Sequence, residues 1–139
     1  ETLQEAENTL TVLVEKTKIS FFVIPDPFLF KRTPYRFFLL ADIRDIALMK
    51  LIAISGRGSR KYFIDLYTIL RNGPILKDFF PLLPIKYGAG RANVYHILKS
   101  LTYFEDAERE PPPTMLEPFD WEECKAFFSR EAHTIVLPA

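Results

Sequence analysis

Cysteine is all but missing from this sequence: Cys124 stands alone in 139 residues, so no internal disulfide can brace the fold. Histidine is nearly as scarce, and His96 and His133 are too far apart to supply metal-ligand spacing. A surplus of either charge is also missing, because 18 lysines and arginines face 18 aspartates and glutamates. Any anion site must therefore be local, and the overall field typical of nucleic-acid or anionic-membrane binders is excluded. No apolar run reaches the ~18 residues a membrane helix needs. The opening ETLQEAENTL has neither the basic start nor the apolar core of a signal peptide, and the expectation is a cytoplasmic protein without a membrane partner.

What is present is enough apolar material, 48% of the chain, for one core but too little length for two ordinary domains. TLTVLVEKTKISFFVI holds two β-branched and aromatic runs, Thr11 to Val14 and Ile19 to Ile24, around the polar EKTK, which predicts a hairpin with both faces largely covered. Pro25, Pro27 and Pro34 then make a loop as far as Arg36, and Phe37 to Leu40 reads as a third short strand. From Ile43 to Ile54 every residue is apolar except Arg44, Asp45 and Lys50, the mark of a buried helix, with Asp42 as its N-cap. Gly56 to Gly58 end it with left-handed geometry available, and Ser59 caps a second helix whose inward stripe is Phe63, Leu66, Tyr67 and Leu70. ILKDFFPLL, ANVYHILKSLTYF and DWEECKAFF carry helical spacing between breakers. The reading is an α+β chain, a small antiparallel hairpin or sheet followed by a helical bundle, with Pro111–Pro113 as a stiff connector.

The chemistry concentrates between Asp42 and Arg71. At about 100° per residue Ile46, Lys50, Ala53 and Arg57 share one helical stripe, so a buried Lys50 needs a carboxylate, a carbonyl cluster or a bound anion. Asp42 and Asp45 are the nearby carboxylates. Lys61 and Asp65 stand at i,i+4 and can touch. Plainer roles stand beside these: snorkelling for Lys50, a solvated pair for Lys61 and Asp65, helix-end charges for Arg57 and Arg60, a core position for Cys124, and packing or surface positions for His96 and His133. Trp121, among charged residues, is the one candidate for an exposed aromatic.

DIALMKLIAISGRGSRKYFIDLY resembles the diagnostic segment of the AbiEii/AbiGii-type abortive-infection toxins, a branch of the minimal nucleotidyltransferases. ISFFVIPDP before it and YHILKSLTYFEDAEREPPPTMLEPFDWEECKAFF after it extend the likeness over nearly the whole chain. The resemblance implies that residues 1–41 are the β-rich end of a nucleotidyltransferase core and 42–139 its helical region. It implies nucleotide contacts by Asp45, Lys50, Arg57, Lys61 and Asp65, with Lys50 and Asp65 as catalytic candidates and Asp65 orienting Lys61. It further implies Mg²⁺ and a nucleoside triphosphate, an RNA or protein acceptor, and a cognate antitoxin in a type IV toxin–antitoxin or abortive-infection system.

Two departures matter. No Gly-Ser or Gly-Gly followed by Asp-x-Asp occurs before Leu40, and Lys61-Tyr62 stands where the family has Lys-Asp. The chain also opens on Glu1 rather than methionine, so the expectation is that the metal-binding part lies outside this sequence and that this chain alone is inactive. A catalytically inactive remnant that binds RNA or protein is the alternative. Missing strands would leave a free sheet edge, which predicts self-association.

Overall fold

Alternating apolar residues and tight polar turns build an antiparallel sheet from β1 (Thr2–Ala6), β2 (Thr9–Val14) and β3 (Thr17–Phe22), in that spatial order. The computed structural model describes residues 1–138; Ala139, the last residue of the helical region expected over 42–139, lies outside the described residues. The β2–β3 turn needs no Asn-Gly, because Glu15 and Lys16 themselves adopt positive φ, 47° and 69°, and hold the register Val12↔Ile19 and Leu10↔Phe21. β1 carries no strand signal of its own: TLQEA has little β propensity and forms a strand because β2 offers a ladder to pair with.

The sheet is not covered on both faces as the sequence suggested. Phe21 and Phe22 are 56% and 60% exposed, every residue of β3 is exposed, and the strands' extensive contacts are with one another. Phe38–Leu40 (β5) is a strand, but it pairs with Thr33–Tyr35 (β4), expected as loop, in a separate two-stranded hairpin. Arg36 at φ 51° makes that turn.

The core is helical. Asp42 caps α1 (Ile43–Gly56) by accepting from the Arg44 N–H at 2.9 Å, and the Arg44 side-chain bond holds its carboxyl down to about 2. α1 runs against α2 (Arg60–Arg71), and Ala47, Leu48, Leu51 and Ile54 meet Phe63, Leu66 and Leu70 in the core. α1 is therefore not buried all round: Ile43 is half exposed, and Ile46, Met49, Lys50, Ile52 and Ala53 are intermediate. Pro81 and Pro84 shape the next segment into a 3₁₀ turn (Leu76–Leu82) followed by α3 (Leu83–Tyr87), where a longer helix was expected. α4 (Val94–Ser100), the unforeseen α5 (Glu105–Arg109) and α6 (Trp121–His133) complete the body.

Phe63 is fully buried, with ring centroids 5.2 Å from Phe104, 6.2 Å from Trp121 and 5.4 Å from Phe128, joining α2 to α5 and α6. Cys124 lies in this core as expected, and burial pushes its thiol up to about 12. Trp121 does not fit its expected exposure: it is 8% exposed, and its indole N–H donates to Glu108 at 3.0 Å. No helix among the described residues is long and apolar enough to cross a membrane.

The buried charge in α1 is Asp45, not Lys50. Asp45 is fully buried and accepts from the N–H groups of Leu29 and Phe30 at 3.0 and 2.9 Å and from Lys86 Nζ at 3.0 Å. Lys86 Nζ also donates to the Pro27 carbonyl at 2.6 Å. One carboxylate and one ammonium thus fasten the proline loop to α1 and α3. Burial alone would raise the Asp45 carboxyl, but the two N–H donors and the Lys86 ammonium together keep it below its ordinary value.

Removing one partner strands the other charge in an apolar interior. Lys86→Met should therefore cost about 3–5 kcal/mol in urea unfolding, and Asp45→Leu/Lys86→Met distinctly less than the sum of the single changes. Because the folded carboxyl lies below its unfolded value of about 3.9, its contribution is complete above that pH and is lost as pH falls through the lower folded value. Asp45→Asn should flatten that acid limb of the stability curve.

Candidate functional site

The residues singled out in the sequence separate into distinct places around the α1–α2 hairpin. α1 ends where Arg57 N–H donates to the Ala53 carbonyl at 2.8 Å, with Arg57 extended at φ −147°. Neither Gly56 nor Gly58 uses the left-handed region their sequence allowed. Gly58 is buried, and a Cβ there would stand 3.7 Å from the Phe63 ring and 3.8 Å from the Tyr103 carbonyl, at ordinary contact distance. The turn returns the chain so that α2 lies along α1.

That return brings Lys50 and Asp65 together. Lys50 Nζ lies 2.6 Å from Asp65 Oδ2, with the side chains 24% and 48% exposed, and 5.2 Å from the centroid of the Tyr62 ring. Lys50 has the carboxylate partner its position demanded, but the acid comes from the neighbouring helix rather than from Asp42 or Asp45. Asp65 consequently does not orient Lys61, which is exposed and has no ion pair among the described residues. Pair, ring and solvent access make a cation that is positioned yet reachable.

Arg57 belongs to a second cluster. Its Nη2 donates to Glu110 Oε1 at 3.0 Å, while Glu110 Oε2 accepts from Ser59 Oγ at 2.8 Å and from the Arg60 N–H at 3.0 Å. Ser59 occupies the N-cap but makes no capping bond of its own; the Glu110 carboxylate meets the positive end of α2 instead. The Ser59 hydroxyl leads, with Arg60 N–H and Arg57 following, in lowering the Glu110 carboxyl despite its partial desolvation. Arg60 stacks its guanidinium over Trp121 at 4.6 Å. The stripe shared by Lys50 and Arg57 on α1 is therefore divided between two acids, Asp65 and Glu110.

Asp45 stands apart from both clusters, held by Lys86. The sequence reading missed Lys86 and Glu110, although each had a signal: Lys86 is the only charge in LLPIKYG, and Glu110 is the acid directly before three prolines that fix its direction. His96 is a surface residue whose Nε2 lies 2.9 Å from the Ser55 carbonyl. The cavity of about 530 Å³ bounded by Phe80, Pro84, Val94, Ile135 and Leu137 is lined by neither Lys50 nor Asp65, so this apolar hollow near the C-terminal segment is not where the paired charges are.

Glu110→Ala leaves the Arg60 N–H at the start of α2, the Ser59 hydroxyl and the Arg57 guanidinium without their acceptor. It should lower stability by about 1 kcal/mol in denaturant titration at neutral pH. The folded carboxyl lies below the unfolded value of about 4.3, so the wild-type advantage is present above that pH and disappears as pH falls through the folded value; the two proteins should converge in acid.

Comparison with known proteins follows the whole chain rather than this hairpin alone. An uncharacterized protein of Aquifex aeolicus (strain VF5) is 40% identical over 133 residues, a match that takes in 93% of this chain and 62% of that protein. The chain thus spans less than two thirds of its relative's length. No family model and no solved structure matches it.

Proposed function

We propose that this chain is the helical part of a nucleotidyltransferase-like protein of the AbiEii/AbiGii type, acting in a type IV toxin–antitoxin or abortive-infection system, and that its α1–α2 hairpin offers Lys50 to the phosphates of a nucleoside triphosphate. The observation that carries this reading is the Lys50–Asp65 pair: the two residues that the resemblance makes catalytic candidates, 15 positions apart, meet at 2.6 Å at a solvent-accessible place. An ammonium held by Asp65 beside the Tyr62 ring can exchange its carboxylate for a phosphate oxygen, and nucleotidyl transfer depends on such fixed positive charge where oxygens gain negative charge. In that transfer an RNA or protein group bonds to the α-phosphorus and pyrophosphate departs.

Mg²⁺ does not fit the donors of this chain. Among the described residues no group of three or more His, Cys, Asp or Glu side chains is placed to hold a metal, Asp45 is committed to Lys86, and Asp65 is committed to Lys50. No step is therefore assigned to metal here, and the reading is that this chain alone does not turn over. Of the other implied nucleotide contacts, Arg57 is available only in competition with Glu110, Lys61 is exposed, and Asp45 serves the fold.

A second reading, an inactive module that binds RNA or protein, draws on the exposed apolar side chains of both sheets, Phe21, Phe22, Phe37 and Phe38 among them. Triphosphate binding separates the two. Titration calorimetry on the 139-residue chain should detect a triphosphate, and Lys50→Ala should weaken it by roughly 10-fold or more, the worth of one charge-assisted contact; circular dichroism should show the variant folded. Equal affinities, or no binding to the wild type, would sink the nucleotide reading and leave the binding module. No transfer of radiolabel to cellular RNA is expected from this chain alone.

A further inference from the structure

The two edges of the three-stranded sheet are not alike. β1 carries a bulge between Thr2 and Gln4 and lies among Glu1, Glu5 and Glu7, features that discourage a further strand. β3 is regular over all six residues from Thr17 to Phe22, holds Lys18 as its sole charge, and is exposed throughout. The turn determines which of its backbone groups are free. A two-residue turn at Glu15 and Lys16 makes Val14 and Thr17 the closing hydrogen-bonded pair, so odd-numbered residues of β3 bond inward to β2. The Val23 N–H donating to the Asn8 carbonyl at 3.0 Å keeps the same parity. Lys18, Ser20 and Phe22 therefore present their N–H and C=O groups outward.

We propose that β3 pairs with β3 of a second copy of this chain, antiparallel about a twofold axis through Ser20, to form a continuous six-stranded sheet. Only registers of the right parity align outward donors with outward acceptors. Centring on Lys18 would set two ammonium groups opposite each other, and centring on Ile19 would leave them diagonal neighbours. Centring on Ser20 places Lys18 across from Phe22 of the copy and removes the repulsion. It also brings Ile19 opposite Phe21 of the copy in the closer, non-hydrogen-bonded position. Within one chain Val12↔Ile19 and Leu10↔Phe21 already align one apolar face, and Leu10, Ile19 and Phe21 are 37%, 37% and 56% exposed. The pairing would run that stripe unbroken across both copies. Such an interface is self-complementary, as a twofold contact must be, and it stands whether or not triphosphate binds.

Cysteine cross-linking of the 139-residue protein tests the register. The native Cys124 is fully buried and does not compete. Ser20→Cys should form a disulfide-linked dimer on mild oxidation, because paired Cα atoms fall within disulfide reach. Lys18→Cys and Phe22→Cys should each fail to link to themselves, yet link to each other when mixed. Light scattering should find a dimer, and Ile19→Lys should weaken it at least ~10-fold with an unchanged circular dichroism spectrum. A monomer at every attainable concentration, or cross-linking that does not discriminate among the three positions, would overturn the proposal.

Discussion

A single fully buried carboxylate carries the arrangement of the molecule. Asp45 receives two backbone N–H groups from the proline loop and the ammonium of Lys86 from α3, so two segments distant in sequence are fixed relative to α1 by one side chain. The loop cannot make regular backbone bonds through Pro25 and Pro27, and its free N–H groups need an acceptor that stays ionised in an apolar setting. Lys86 supplies the compensating charge, and its ammonium also donates to the Pro27 carbonyl. A buried pair of this kind contributes less by its own attraction than by the penalty attached to every arrangement in which one member is alone.

With that frame in place, α1 and α2 form a hairpin whose polar contacts are shared out in order. The middle of the hairpin is closed by Lys50 and Asp65, and its turn is closed by Glu110 reaching back to Arg57, Ser59 and the first N–H of α2. Each cation on the α1 stripe has its own acid. A phosphate ligand at Lys50 would compete with one partially exposed carboxylate; at Arg57 it would compete with a carboxylate that Ser59 and the Arg60 N–H also hold in place. The acid beside Lys50 is the more exposed of the two, whereas Arg57 is the more exposed cation.

The two ends of the chain differ in how completely they are finished. The helical body buries a continuous aromatic and aliphatic core and leaves no buried side-chain polar atom unpartnered among the described residues. The first sheet displays apolar side chains on a face that no helix covers extensively, with one blunted edge and one open edge. Three strands with an uncovered face are near the lower limit of independent stability, which gives a further strand at the open edge a physical advantage.

Local chemistry made much of this legible from the sequence. Asp42 as a cap, the stop near Gly56, the second helix from Ser59, the breaks at proline and the β2–β3 hairpin all rest on interactions between residues close along the chain, as do the α+β order and the need of Lys50 for a partner. Tertiary structure decided the rest. Which acid answers Lys50, whether Lys61 meets Asp65, which charge in α1 is buried, and whether Trp121 faces solvent all depend on the angle at which α2, α3 and α6 return to α1, and that angle is a property of the packed core. β1 and β4 became strands only because a neighbour offered a ladder, and the sheet's uncovered face follows from where the helices settled. Periodicity identifies a face, but only the assembled fold supplies what lies opposite it.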